Sequence, residues 1–156
     1  MKNFLEMSRR ESVPRWVRPD LQKERGEIER AVREFLGEEP NAENVQRVFD
    51  ALKNAPMVEL SDEMWAALDN TDSFHNIIQG HIEEARKITE TYNQELPPQN
   101  IRDFGAILNG FKGGAMEAPV IIKNKEGALH LVSGNTRLMI ARSLGVRPDV
   151  IVAEIG

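Results

Sequence analysis

The stretch that decides the fold is Leu129-His130-Leu131-Val132-Ser133-Gly134-Asn135-Thr136-Arg137, which lies late in the 156-residue chain. Its apolar residues are enough for a short strand, and two small residues follow them. From residue 138 onward apolar residues recur at helical spacing until Gly145, so the stretch predicts a strand, a tight turn and a helix. The first N–H groups of such a helix have no partner within the helix.

The turn between the strand and the helix carries residue types that suit an anion site. Ser133, Asn135 and Thr136 favour helix N-caps, and Gly134 allows a positive φ or the close approach of a ligand. The positive end of the helix dipole attracts anions such as phosphate, and Arg137 would add a bidentate guanidinium. The alternative is an ordinary β–α junction, which also needs a turn and a cap, with Arg137 solvated.

The elements on either side extend this unit. The patterns predict a strand over 119–123, a hairpin turn over 124–127, a strand over 129–132, a helix over 135–144 and a strand over 149–155. In one-letter code the unit has three blocks, PVII, LHLVSGNTRLMIARSLGV and VIVAEI. Six residues separate the first block from the second, and three residues separate the second from the third. This order, with its G-x-x-R turn and its helix ending in Leu-Gly, resembles the ParB/sulfiredoxin superfamily. The resemblance implies an α+β fold in which a small mixed-sheet domain follows a helical N-terminal region.

The resemblance also implies a ligand. In that superfamily the G-x-x-R turn binds nucleotide phosphates, of CTP in the ParB clamps and of ATP in sulfiredoxin and the free-serine kinase. Gly134 and Arg137 are the matching residues, and Ser133, Asn135 and Thr136 fill the neighbouring positions. A nucleoside triphosphate with Mg²⁺ is therefore the implied cofactor. Small bacterial and phage chains of this superfamily are often labelled as nucleases or DNA-modification proteins.

Several departures from the family narrow this expectation. Asn135 stands where sulfiredoxin has its catalytic cysteine, and the chain has no cysteine, so sulfinic-acid repair is excluded. Asn135 and Thr136 replace the acidic residue and second arginine of ParB, and the histidines of the serine kinases are missing from the motif. A helix-turn-helix after the motif has no room before Gly156, so centromere recognition is not expected.

Charged residues before the first clear strand are further candidates. Lys112, beside Gly113 and Gly114, would be a mobile phosphate ligand. Glu117 and Asp103 are the candidate catalytic carboxylates, as a general base or as Mg²⁺ ligands beside the phosphates. For all of them the alternative is an ordinary surface charge.

Composition limits the function classes. The net charge is −5 and the pI is about 5.3, so the chain has no overall basic field for a nucleic-acid backbone. Without cysteine, and with His75, His81 and His130 scattered, no zinc site is expected. No apolar run approaches the ~18 residues of a membrane span, and the N-terminus lacks a signal-peptide pattern, so a cytoplasmic protein is expected.

The chain is predicted to divide into three parts. Residues 1–20 form an irregular basic arm, 21–95 a helical region, and 96–156 the ParB/sulfiredoxin-like domain, with a break at Glu95-Leu96-Pro97-Pro98. The longest helix is predicted from Phe74 to about Asn93. The basic residues of the arm are Arg9, Arg10, Arg15 and Arg18. The arm could contact nucleic acid, or it could drape over the domain with Trp16 as its anchor.

Three hypotheses about function follow from these patterns. The leading one is a nucleotide-binding protein that uses residues 133–137 and that hydrolyses the nucleotide or transfers its phosphoryl group to a small molecule, a protein or DNA. The second is a non-catalytic module whose helical half binds a protein partner. The third is an accessory protein of DNA modification, although the acidic balance argues against strong DNA affinity.

Overall fold

The structure of the chain is a computed structural model that describes residues 14–71, 73–98 and 101–155. It combines helices with a mixed sheet, so the predicted α+β class is confirmed. The strands are β1 (Arg15–Val17), β2 (Met57–Glu59), β3 (Ala115–Glu117), β4 (Val120–Lys123), β5 (Leu129–Ser133) and β6 (Asp149–Glu154). A 3-10 helix (Leu21–Glu24) precedes the α-helices, which are α1 (Arg25–Glu34), α2 (Ala42–Asn54), α3 (Asp62–Ala67), α4 (Ser73–Asn76), α5 (Ile82–Glu95), α6 (Phe104–Gly110) and α7 (Asn135–Leu144).

A four-stranded sheet in the order β2-β6-β4-β5 is the centre of the fold. β4 and β5 form the predicted antiparallel hairpin, and β6 lies parallel to β4 after the crossover through α7. Asn124 closes the hairpin because its Oδ1 accepts hydrogen bonds from the backbone N–H groups of Glu126 (3.1 Å) and Ala128 (2.9 Å). The C-terminal unit therefore has the strand, hairpin, helix and strand that its sequence pattern predicts.

Three strands, β1, β2 and β3, lie where the sequence predicts none. β2 pairs antiparallel with β6 from within the region predicted to be all helical, residues 21–95. β1 belongs to the arm predicted to be irregular, and it pairs in parallel with β3. Each of these strands has only three residues. Such a short strand has no readable alternation, and only a partner strand that is distant in sequence stabilises it.

Two hydrophobic cores cover the two faces of the sheet, since successive residues of a strand point to opposite sides. Ile121 and Leu131 belong to the first core, which α7 and the aromatic residues Trp65, Phe104 and Phe111 complete. Val120 and Ile122 belong to the second core, which α1 and α2 cover. Each core contains residues from both sides of the predicted boundary after residue 95. Within the described residues, β2 therefore belongs to the same sheet as the C-terminal unit, and α1 and α2 cover one face of that sheet.

The prediction of one long helix from Phe74 to about Asn93 is wrong. α4 ends at Asn76 and α5 begins only at Ile82. Between them Gly80 has φ +89°, and its N–H donates to the carbonyl of Ser143 in α7 at 2.6 Å. Glycine is a weak helix former and adopts this φ without strain, so a tertiary hydrogen bond takes the N–H that a continuous helix would use.

The described part of the basic arm packs on the domain, as the draped alternative predicts. Trp16 is only 8% exposed and meets Phe111 edge to face, with ring centroids 5.5 Å apart. Arg18 lies at the C-terminal end of α2, where its guanidinium donates to the carbonyls of Ala55 (2.9 Å), Leu52 (3.1 Å) and Lys53 (3.1 Å). It therefore satisfies terminal carbonyls and complements the helix dipole. Arg9 and Arg10 lie outside the described residues.

Arg18→Ala is expected to destabilise the fold by about 2 kcal/mol, since hydrogen bonds to charged groups contribute roughly 1.5–3 kcal/mol. Thermal unfolding would show this as a fall in Tm of roughly 4–8 °C for a domain of this size. Arg15→Ala is the matched control, because Arg15 is exposed on β1. Equal stability of the two variants would contradict a capping role for Arg18.

Candidate functional site

The turn between β5 and α7 (residues 133–137, the β5–α7 turn) has the geometry of an open helix N-terminus. Gly134 is the N-cap residue with φ +110°, and no side chain caps the helix. A Cβ on Gly134 would lie 2.7 Å from the Cβ of Pro119 and 3.0 Å from its Cα. Only glycine fits this position, both for its φ and for the close passage of Pro119. The backbone N–H groups of the first turn are thus available to an anion.

A segment that the sequence analysis did not single out holds this turn from the side. Residues 68–71, here the edge segment, run along β5: the N–H of Asp69 donates to the carbonyl of Leu129 at 3.1 Å. The side-chain amide of Asn70 both donates to the carbonyl of Leu131 and accepts from its N–H, each at 2.8 Å. Thr71 then donates from its hydroxyl to Oδ1 of Asn135 at 2.6 Å. The edge segment therefore covers the outer edge of β5 and connects it to the turn.

A cavity of about 500 Å³ opens beside the turn, within the usual size range of small-molecule sites. Ser133, Gly134 and Asn135 line it, so the structure places three of the predicted phosphate-binding residues at one concave surface. The cavity also contains Arg102, which the sequence analysis missed. Its other polar and aromatic lining includes Glu27, Arg30, Glu34, Asn70, Tyr92, Glu95 and His130. We call this space the turn cavity.

Arg102 is held at the turn cavity by a pair of hydrogen bonds. The side-chain amide of Asn93 on α5 donates to the carbonyl of Arg102 at 2.8 Å and accepts from its N–H at 2.9 Å. Because α5 packs against α7, these bonds connect Arg102 to the helix that begins at the turn. The sequence signal was slight, an arginine between a proline-rich break and a short helix. It becomes informative only when the fold brings residues 102 and 133–137 together.

Arg137 does not act as the free guanidinium fork that the pattern predicts. Its Nη1 donates to the backbone carbonyl of Glu117, so part of the guanidinium already has a protein partner. Burial lowers the pKa of Arg137, while the carboxylates of Glu24 and Glu117 act in the opposite direction. The positive charge of Arg102 lowers the pKa of Arg137 further. Arg137 thus links the turn to β3, which ends at Glu117.

The remaining candidates from the sequence lie outside the lining of the turn cavity. Asp103 is the N-cap of α6, and its Oδ1 accepts from the N–H of Ala106 at 3.0 Å. The side chain of Glu117 accepts from the N–H of Asp20 at 3.4 Å and lies 4.0 Å from Nζ of Lys23. Lys112 is exposed in the turn after α6. The structure therefore gives Asp103 and Glu117 roles in local structure and leaves Lys112 as a surface charge.

Two hydroxyl groups at the turn are buried without a hydrogen-bond partner among the described residues. They belong to Ser133, at the end of β5, and to Thr136, which is 3% exposed in the first turn of α7. A buried hydroxyl without a partner costs free energy, which a bound water, ion or ligand that accepts its proton would offset. Both residues belong to the β5–α7 turn, and Ser133 also lines the turn cavity.

Glu24 faces the turn from the 3-10 helix and is half-buried. Burial raises the pKa of this carboxyl, while Arg137 and the nearby hydroxyl of Ser133 partly offset that effect. The Ser133 hydroxyl is close to the carboxylate, yet its geometry falls short of a hydrogen bond. Glu24 is therefore a carboxylate next to the groups that would receive an anionic ligand.

Glu24→Gln is expected to be more stable than the parent protein at neutral pH. A carboxyl whose pKa is higher in the folded state stabilises the fold below its unfolded pKa of about 4.5, and this contribution is lost as the pH rises through the folded pKa. The stability advantage of Glu24→Gln should therefore grow as the pH rises above about 4.5 and vanish below it. Denaturant unfolding between pH 3.5 and 8 measures this difference. Glu39→Gln controls for the loss of an exposed negative charge, and an advantage that shrinks with rising pH would contradict the assignment.

Three carboxylates, of Glu27, Glu34 and Glu95, line the turn cavity. Glu34 is paired with Arg30 at 2.9 Å, whereas Glu27 and Glu95 have no ion-pair partner within the described ranges. These carboxylates would repel the outer charges of a polyphosphate unless a cation lies between them. No group of three or more His, Cys, Asp or Glu side chains with the geometry to hold a metal occurs in the described part of the chain.

No family model, curated protein or solved structure gives a significant match to this chain. The resemblance to the ParB/sulfiredoxin superfamily therefore depends on the motif and the order of elements alone, and it stays a prediction. Among residues 14–71, 73–98 and 101–155, no helix is long and apolar enough to cross a membrane.

Proposed function

We propose that this protein binds a nucleoside triphosphate, with the phosphate groups at the β5–α7 turn and the rest of the ligand in the turn cavity. The observation that carries the proposal is the set of unused donors at one place. An uncapped helix N-terminus, the hydroxyls of Ser133 and Thr136 without partners among the described residues, and Arg102 all lie at or next to the turn. Each of these groups donates hydrogen bonds, and phosphate oxygens accept them.

Phosphate is the anion that best uses this arrangement. A carboxylate offers only two oxygens, whereas backbone N–H groups, hydroxyls and a guanidinium can each find an oxygen on a phosphate chain. The cavity, at about 500 Å³, has room for a nucleoside as well as its phosphates. Tyr92, which is 41% exposed, lines the cavity and offers a ring surface to a base, whereas the His130 ring is already stacked on Phe35.

Mg²⁺ would accompany the nucleotide. Glu27 and Glu95 are the carboxylates of the turn cavity without an ion-pair partner among the described residues, and Mg²⁺ typically takes one or two carboxylates together with phosphate oxygens. Bound Mg²⁺ would neutralise phosphate charge that these carboxylates otherwise repel. The residues present thus fit Mg²⁺ bound together with the nucleotide better than Mg²⁺ alone. This replaces Glu117 and Asp103, the carboxylates that the sequence indicated, as the candidate ligands.

Phosphoryl transfer is the reaction class that such a site could support. It depends mainly on positioning and on charge neutralisation, which a helix N-terminus and an arginine provide. Hydrolysis of the nucleotide, or transfer of its phosphoryl group to an acceptor, is therefore the activity to assay after binding is established. Asn93 and the edge segment would keep the donors in place during this step.

Isothermal calorimetry with ATP, CTP, GTP and UTP in the presence of Mg²⁺ tests the proposal, with Asn135→Asp as the diagnostic variant. The aspartate of this variant would still accept from Thr71, and a carboxylate on the first turn favours the helix, so the fold should be retained. The new negative charge at the turn should lower the affinity for the nucleotide at least about tenfold.

Asn41→Asp is the matched control for this experiment. Asn41 is the N-cap of α2, where its Oδ1 accepts from the N–H of Asn44 at 2.8 Å, so aspartate keeps the same bond. This variant makes the same charge change at another helix N-terminus and should bind the nucleotide like the parent protein. Absence of binding by all four nucleotides, or equal losses in the two variants, would reject the proposed site.

The other two hypotheses have less support from contacts. For a protein-interaction module, the favourable observation is that Ile78 and Leu144 are 56% and 44% exposed on segments joined by the Gly80–Ser143 hydrogen bond. For DNA binding, Arg15 and Arg18 are the described arginines of the predicted arm, and the Arg18 guanidinium is already used at the end of α2. Phosphate binding at the turn explains more of the unpaired groups.

A further inference from the structure

We propose that Asn135 is a ligand-binding residue and that Thr71 is its positioning residue. Thr71 would hold the side-chain amide of Asn135 in the orientation that directs its NH₂ group into the turn cavity, toward a phosphate oxygen. This inference depends on the proposed function and adds a neutral donor to it.

The contact between the two side chains defines the orientation of the amide. The Thr71 hydroxyl is 2.6 Å from Oδ1 of Asn135, a length typical of an O–H···O bond and shorter than most N–H···O bonds. The same hydroxyl accepts from the N–H of Ser73 at 3.2 Å. Its proton is therefore free to go to Asn135, which makes the Asn135 oxygen the acceptor.

The nitrogen of the same amide then remains for a ligand. Oδ1 and Nδ2 are on one carbon, so an oxygen directed at Thr71 turns the NH₂ group away from it. Within the described residues Nδ2 has no hydrogen-bond partner, and Asn135 is partly exposed. Asn135 lines the turn cavity beside Ser133 and Gly134. The side chain of Asn135 thus lies next to the open helix N-terminus.

The edge segment makes Thr71 a firm support. The Asp69 carboxylate accepts from Nδ1 of the His130 ring at 2.9 Å, in addition to the backbone bond of Asp69 to Leu129, and Asn70 bonds both backbone groups of Leu131. Thr71 follows directly and reaches Asn135. Consecutive residues are therefore bonded along β5 up to the turn, so the Thr71 hydroxyl has little freedom to move away from the amide.

If Asn135 is a neutral donor, its removal should change the affinity in a way that does not depend on salt concentration. Loss of the Asn135 amide removes a hydrogen bond without removing charge, so affinity should fall by about fivefold at every salt concentration. Loss of an arginine would instead reduce the dependence of binding on salt. Measuring the affinity of the parent protein and of Asn135→Ala at several salt concentrations (the salt series) therefore distinguishes a donor role of Asn135 from a general change in the electrostatics of the turn.

A double-mutant cycle tests the role of Thr71, with the best-bound nucleotide and with inorganic triphosphate as probes. Asn135→Ala should lose about fivefold in affinity, and Thr71→Val, which removes the hydroxyl but keeps the shape, about threefold. In the Asn135→Ala background, Thr71→Val should cause no further loss, because Thr71 acts through the amide. Thr71→Ser, which keeps the hydroxyl, should bind the probes with the affinity of the parent protein.

The outcomes separate this inference from the proposed function. If the parent protein binds a nucleotide and Asn135→Ala binds it equally well, the inference is rejected while the phosphate site stands. The role of Thr71 is likewise rejected if Thr71→Val lowers the affinity by the same factor in both backgrounds. If the parent protein binds none of the probes, the proposed function fails and this inference fails with it. Should Thr71→Val not fold, the salt series on Asn135→Ala and the parental affinity of Thr71→Ser decide the question.

Discussion

Gly134→Ala should destabilise the protein by roughly 3 kcal/mol, the largest effect we expect from a single methyl group in this chain. One part is backbone strain, since φ is +110° at this residue and a left-handed conformation costs a non-glycine residue about 1–2 kcal/mol. The other part is steric, because the new Cβ would lie 2.7 Å from Pro119 Cβ, and overpacking typically costs about 1–3 kcal/mol. Thermal unfolding should show a Tm lower by roughly 6–12 °C.

Gly26→Ala provides a control of opposite sign. Gly26 lies near the start of α1, and a Cβ there would meet no atom within 4 Å. Alanine is the better helix former, so this variant should gain about 0.5–1 kcal/mol. If the two variants had similar stabilities, the tight passage of Pro119 over the β5–α7 turn would be refuted.

Arg137→Ala should also destabilise the fold, by about 2–3 kcal/mol, although the residue lies in the first turn of a helix. The substitution removes the guanidinium that donates to the carbonyl of Glu117. It also removes the cation that offsets the burial of Glu24. The carbonyl would lose its donor and the half-buried carboxylate would lose a favourable positive charge, which costs more than the loss of a solvated charge.

Arg33→Ala is the comparison for this measurement. Arg33 is exposed in the last turn of α1, and a surface substitution of this kind usually changes stability by less than about 0.5 kcal/mol. Equal unfolding midpoints in denaturant for the two variants would show that Arg137 is solvated, as the alternative interpretation of the sequence has it. Because Arg137→Ala is expected to lose stability, Asn135→Asp is the better variant for the binding test. A fall in nucleotide affinity in Arg137→Ala could reflect a weakened fold rather than a lost ligand contact.

The elements that the sequence predicts well are those with strong local signals. Asn124 hydrogen-bonds within its own turn, Asn41 caps its own helix, and α7 begins and ends next to glycines with φ of +110° and +71°. Interactions between residues close in sequence create each of these features, so neighbouring residue types suffice to predict them. The same holds for the open helix N-terminus at residues 133–137, the centre of the proposed site.

The elements that the sequence missed depend on partners far along the chain. Arg18 was a candidate for binding DNA because its local surroundings are basic, yet its guanidinium serves carbonyls at the end of α2. Gly80 interrupts a regular apolar pattern because its N–H bonds to Ser143. In both cases the competing interaction joins residues more than thirty positions apart, so no local pattern contains it.

The candidate site divides in the same way. The sequence by itself determined the strand, turn and helix, because glycine, N-cap residues and apolar periodicity act over a few residues. Only the tertiary structure decided what surrounds that turn, since Arg102, Thr71 and Glu24 reach it through packing between distant elements. The tertiary structure also places the Arg137 guanidinium against the carbonyl of Glu117 on β3. The spacing of residues along α7 cannot predict this partner, because it belongs to a different element.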